Sequence, residues 1–197
     1  MGGVTEAEHR RILPSDGPSR MMAPRSVVLL GRGDGRATPI KAMIDQDLVR
    51  LIRGQFALRW NGVHGAPHWS RVRENGLRLA ESTGAKPKVV ELFAFLHDSR
   101  RINDGYDSEH GSRAALFVGA LAGSAFELES TDLDLLIIAC EGHSDGLTVA
   151  DITVRTCWDA DRLDLGRVGI RPHPDRLCTE AARDPGILEW AYRRSLR

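Results

Sequence analysis

His97 and Asp98 close the most hydrophobic stretch of the chain, Val89 to Leu96, and that placement poses the first chemical question. Burying an imidazole and a carboxylate beside LFAFL costs several kcal/mol, on the order of the penalties known for polar and charged groups, unless they are paired or bind a cation. A divalent metal would remove the cost; helix-end caps and surface ion pairs are the plainer alternative. Further residues of the same types favour chemistry. His64 and His68 in HGAPHWSRV, His110 in DSEHGSRAA, His143 in ACEGHSDG, and Asp159 and Asp161 in CWDADRLDLG each sit beside an apolar run. Elements that bury those runs together would bring these side chains together.

The elements are helical by period. The segment 44–60, IDQDLVRLIRGQFALRW, carries Ile44, Leu48, Leu51, Ile52, Phe56 and Leu58 on one broad side. Pro67 suits a first helical position and Gly84 a stop, which predicts a helix over 67–83. Pro87 opens KPKVVELFAFLHDSRR, apolar nearly all round from Val89 to Leu96, as expected of a helix buried among others. Asp107 or Ser108 can cap a helix running to Leu121, and Thr131 with Asp134 resembles a capping box for TDLDLLIIACEGH. Asp151 can cap a helix to Leu165, and a last one over 180–195 is interrupted by Asp184, Pro185 and Gly186. No run alternates like a strand over useful length, so the expected fold is an all-α bundle.

Composition narrows the classes of partner. Lys+Arg 27 against Asp+Glu 27 give a formal net charge of +0 and a pI near 7.1, so no global basic field holds nucleic acid or an anionic membrane. Cys140, Cys157 and Cys178 are odd in number, with no CxxC pair and no secretory apolar run beside them, so a reducing, cytoplasmic setting is expected. No stretch reaches the roughly 18 apolar residues of a membrane-spanning helix. Residues 1–42 carry Gly, Pro, Ser and Arg without sustained period and read as a disordered extension or a start placed too far upstream, leaving 43–197 as the domain. Within them, GRGDGR lacks the GxxxxGK[ST] pattern of a phosphate loop.

The succession HWSRV, LHDSRR, EHG, EGHS and DADRLDLG, over about residues 60–170, resembles the HD-domain superfamily of metal-dependent phosphohydrolases. The resemblance implies an HD-like helical bundle with its metal site between central helices. It also implies that His68, His97, Asp98 and Asp161 ligate one metal, with Asp159 supporting them. His110 and His143 match the additional histidines that bind a second ion in one branch of the superfamily and contact phosphate or transfer protons in others. The chain has no GYP after HSDG, unlike the cyclic-dinucleotide phosphodiesterases of the superfamily, and no alarmone-synthetase domain.

Imidazole and carboxylate ligands together suit Mn, Fe, Co, Ni or Zn better than Ca, with Mg also possible, and four ligands leave positions for water and substrate. Such an ion can lower the pKa of water from about 15.7 towards about 7 and polarise a phosphoryl oxygen. Phosphate needs permanent positive charge, and Arg71, one turn after His68, with Arg100 and Arg101, directly after the His97 and Asp98 pair, could supply it. Glu109 and Glu141 could orient imidazoles or serve as bases, although exposed helix positions are the commoner role. Trp69 and Trp158 could stack a base, although core packing is the commoner role. The expected activity is hydrolysis of a small phosphate ester or anhydride, with a nucleotide as the substrate that the resemblance suggests. The rivals are a di-iron oxygenase of the same superfamily and a non-catalytic nucleotide- or metal-binding module.

Overall fold

The computed structural model describes residues 44–197; the expected extension over 1–42, with its GRGDGR stretch, lies outside the described residues. Among the described residues the chain is all-α, with one isolated bridge between Ala122 and Phe126. The helices are α1 (Gln46–Gln55), α2 (Ala66–Thr83), α3 (Pro87–Leu96), α4 (His110–Leu121), α5 (Ser130–Gly142), α6 (Ile152–Arg162), α7 (Glu180–Arg183) and α8 (Pro185–Ser195). Two 3₁₀ turns, Leu165–Val168 and Pro174–Arg176, lie between α6 and α7. No helix of the described residues is long and apolar enough to cross a membrane.

Helix α3 is central, as its all-round apolar pattern requires. Val89, Leu92, Phe93, Ala94 and Leu96 have no exposed surface, and α2, α5 and α6 pack around them. A smaller cluster of Leu79, Leu163, Leu177, Ala182 and Ala191 seats the C-terminal segment on α2.

Several element boundaries depart from the periodic reading. Helix α1 ends at Gln55, five residues early, because Phe56 turns into extended backbone and packs edge-on against Trp69 with ring centroids 5.0 Å apart. Neither Asp107 nor Ser108 caps α4: Asp107 instead accepts from Ile102 N at 3.0 Å and pairs with Arg113 at 2.6 Å, tying down the loop before the helix. The capping box at Thr131 does not form, since α5 starts at Ser130 without a side-chain cap. Asp151 does cap α6, accepting from Thr153 N at 2.7 Å. At the C-terminus Asp184 separates two helices, capping the second, which Pro185 opens, through Ile187 N at 3.0 Å.

One close approach sets the site. A Cβ on Gly111 would lie 2.4 Å from the Glu141 carbonyl oxygen, so α4 and α5 meet at backbone contact here. His110, the first residue of α4, and His143, which follows α5, are thereby brought side by side.

Candidate metal centre

Four histidines present the same nitrogen to one point. His97 follows α3, and its Nδ1 faces the Phe93 carbonyl one turn back at 3.1 Å, with the Phe93 ring stacked on the imidazole at 4.8 Å. His143 Nδ1 faces the Cys140 carbonyl at 2.7 Å, His110 Nδ1 faces the Asp107 carbonyl at 2.5 Å, and His68 Nδ1, on α2, faces the Asp164 carboxylate at 2.7 Å. An oxygen acceptor at Nδ1 assigns the proton there and leaves Nε2 as a lone pair, the arrangement of a metal-ligating imidazole. Those Nε2 atoms meet in two pairs, His68 with His97 at 3.1 Å and His110 with His143 at 2.8 Å. Facing lone pairs repel unless a proton or a cation lies between them.

Two carboxylates complete the cluster. Asp98 Oδ2 lies 3.6 Å from His68 Nε2 and 3.7 Å from His97 Nε2, while its Oδ1 lies 3.4 Å from His110 Nε2 and 3.5 Å from His143 Nε2. Each oxygen of Asp98 therefore faces a different histidine pair. Asp161 Oδ1, from α6, is 3.3 Å from His68 Nε2 and buried without a hydrogen-bond partner. A buried carboxylate oxygen of that kind is costly in a protein interior and is satisfied by a cation. The sets His68, His97, Asp98; His97, His143, Asp161; and Asp98, His110, His143 each bring their ligand atoms within 4.8 Å of one another. On these observations the residues fit a divalent ion.

Protonation states agree for His97, Asp98, His110 and Asp161. Burial pushes His97 down to about 3, against the pull of Asp98 and Asp161. Burial and the neighbouring His143 lower His110 as well. In Asp98 the upward push of burial is outweighed by the neighbouring His97, His143 and His64, which hold it well below the usual carboxylate range. Asp161 is likewise held low, its burial outweighed by His68, Arg167 and His97. His143 is raised, because the Asp98 carboxylate outweighs the effect of burial. Ionised Asp98 and Asp161 and neutral His97 and His110 are the forms a metal requires.

The arginines separate. Arg101 Nη1 lies 3.3 Å from both Asp98 Oδ1 and His110 Nε2, at the cluster. Arg100 turns away, donating to Gln55 Oε1 at 3.0 Å and lying over the Phe117 ring, so the symmetrical expectation for the pair does not hold. Arg71 is held by Asp164, to which its Nε donates at 2.6 Å and its Nη2 at 3.0 Å; it supports a carboxylate where a phosphate contact was expected. Asp159 is also displaced from its expected role: it accepts from Cys178 N, Thr179 N and Thr179 Oγ1 at 2.7, 2.8 and 2.7 Å, pinning the C-terminal segment. Glu109 and Glu141 are exposed, and Trp69 and Trp158 are buried in the core.

Three participants escape the sequence reading. Asp164, fully buried, is the carboxylate behind His68. Its signal was its position three residues after Asp161, on the same side of the chain. Arg167 has a largely buried side chain whose Nη2 lies 3.8 Å from Asp161 Oδ1, while Nε and Nη1 donate to the carbonyls of Val63 and Asp164. No periodicity marks it. His64, noted without a role, lies with Nδ1 3.0 Å from Asp98 Oδ2 and Nε2 3.3 Å from the Asp104 carbonyl. Beside the cluster opens a cavity of about 370 Å³, lined by Asp98, Asp161, His110 and His143 together with Arg101 and Arg167.

The chain has an HD-like helical fold. It is similar to the crystal structure of a predicted HD superfamily hydrolase from an uncultured Thermotogales bacterium, with a TM-score of 0.58 and 22% identity, over 75% of this chain and 84% of that one. No protein-family model matches the chain, and no curated protein matches it.

Proposed function

We propose that the chain is a metal-dependent phosphohydrolase acting on a small phosphate ester or anhydride, with nucleotides the class that its resemblance to the HD superfamily suggests. The observation that carries this reading is that guanidinium groups, Arg101 and Arg167 among them, line the same cavity as the His and Asp cluster. Arginine keeps its charge at any physiological pH and presents parallel donors to phosphoryl oxygens.

His68, His97, Asp98 and Asp161 would hold one ion, with His110 and His143 extending the set around Asp98 Oδ1 to a second. When bound, the ion supplies Lewis acidity to an attacking water and to the phosphoryl group. The chain supplies the rest. Arg101 Nη1 and Arg167 Nη2 neutralise charge on the phosphoryl oxygens. Asp164 and Arg71 hold the His68 ring, and His64 holds Asp98 Oδ2. The net reaction joins water oxygen to phosphorus and breaks the phosphorus–oxygen bond to the leaving group, which departs with a proton.

A second reading, the di-iron oxygenase, has the two ligand sets that share Asp98 in its favour. One assay separates the readings: phosphate release from nucleotides and sugar phosphates with Mn, Fe, Co, Ni, Zn or Mg, run beside oxygen uptake with iron. Metal-dependent phosphate release without oxygen uptake is expected. Oxygen consumption coupled to substrate loss, without hydrolysis, would replace the proposal.

A further inference from the structure

Part of the cavity lining is aliphatic. Leu165, Val168 and Pro172 belong to it, with Leu177 buried behind them, and among the described residues that line the cavity none is a Phe, Tyr, Trp, Asn or Gln. Leu165 and Val168 belong to the 3₁₀ turn that also carries Arg167. Three residues per turn place their side chains on one face. That turn is held firmly: a Cβ on Gly166 would fall 1.9 Å from Ser195 Oγ, so the turn packs directly on α8. The returning chain is fixed by Asp159, through Cys178 and Thr179, and by Arg162, which donates to the carbonyls of Arg176 and Leu147 at 3.0 and 2.7 Å. Leu177 has no exposed surface, whereas Val168 is 43% exposed at the rim.

A nucleobase asks a site for a flat ring to stack on and for donors and acceptors along its edge. The aliphatic part offers neither; of the flat groups elsewhere in the described lining, Arg162 is taken up by the Arg176 and Leu147 carbonyls and His173 and Arg176 are exposed, and the two tryptophans near the ligand motifs are buried in the core. A sugar asks for hydrogen bonds to several hydroxyls, and among the described residues Ser144 and the exposed His173 are the uncharged polar side chains that line the cavity away from the ligand cluster and His64. The volume, about 370 Å³, lies near the lower end of the roughly 300–1,000 Å³ of ligand pockets. We infer that the site selects phosphomonoesters of short aliphatic alcohols, with the phosphoryl group between Arg101 and Arg167 and the alkyl chain on Leu165, Val168 and Pro172. This inference rests on the phosphohydrolase reading and narrows its substrate away from nucleotides.

The test is a homologous series on the full chain loaded with Mn²⁺: kcat/KM for phosphate release from n-alkyl phosphates, ethyl to hexyl, and from adenosine and uridine 5′-monophosphates. In parallel, calorimetry measures binding of the matching n-alkylphosphonates. Burial of each methylene should raise both kcat/KM and affinity by about fourfold until the cavity is filled. Val168→Ser and Leu165→Ser should flatten both series. A flat alkyl series with nucleotides preferred would overturn the inference and leave the phosphohydrolase reading standing. Absence of phosphate release from every compound would remove that reading; the phosphonate series then decides alone, rising affinity upholding the aliphatic wall and constant affinity overturning it.

Discussion

Asp164 Oδ2 lies 2.7 Å from His68 Nδ1, and neither side chain has any exposed surface. The same carboxylate holds Arg71. A ligating imidazole oriented in this way depends on its supporting carboxylate, and losing such a partner costs on the order of 10–100-fold in metal affinity. Asp164→Ala should therefore weaken metal binding by about that factor, read by competition with a chromogenic chelator. Unchanged affinity would place Asp164 outside the site's support.

Arg100 and Arg101 are adjacent in sequence and opposite in consequence. Arg101→Ala should lower kcat/KM for a phosphorylated substrate by about 10²–10³-fold, the scale of removing one donor that stabilises developing charge. Arg100→Ala, which loses a contact to Gln55, should stay within about threefold, equivalent to the roughly 0.5 kcal/mol typical of surface changes. Equal losses in the two variants would contradict the separation.

How far the site could be read from sequence follows from where its members sit. His68, His97, Asp98, His110, His143 and Asp161 lie in or beside apolar helices, so helical period and order along the chain are enough to bring them together. The sequence points to Asp159 as the supporting carboxylate and passes over Asp164 because DADRLD offers three carboxylates, and the distinction depends on where the chain goes after α6. Arg167 lies six residues past Asp161 on a 3₁₀ turn, whose path is set by the packing of Gly166 on Ser195 rather than by any local pattern. The helix ends moved for a similar reason: Phe56 leaves α1 to join Trp60 and Trp69, a tertiary contact that outweighs a favourable period.

His110 and His143 test the extent of the centre. Because both face Asp98 Oδ1 at 3.4 and 3.5 Å, replacing either by Ala should reduce bound metal towards half of wild type, with activity partly restored by excess ion. Full metal content with turnover lowered by roughly 10²–10⁴-fold would assign them to phosphate contact or proton transfer. Wild-type values for both would remove them from the site.

Acid stability should report Asp107, which stands outside the ligand set. Burial raises its pKa, but hydrogen bonds from Arg113 and from the Ile102 amide outweigh that and lower it below its ordinary 3.8. A carboxylate with a depressed native pKa contributes stability above its unfolded pKa and loses it as pH falls through the native value. Melting temperature should thus fall below pH 4. Asp107→Asn should lower stability at pH 7 and show a smaller acid loss; an identical acid profile in the variant would contradict this.

The central claim is that this His and Asp cluster holds a divalent transition metal. The most direct measurement is the metal content of the full chain after gentle purification, by mass spectrometry, with activity followed through chelation and add-back, beside the Asp98→Ala variant. The account predicts a transition metal bound to the wild-type chain, activity abolished by chelation and restored by the ion, and no bound metal in Asp98→Ala. Full activity in wild-type protein stripped of metal would contradict it.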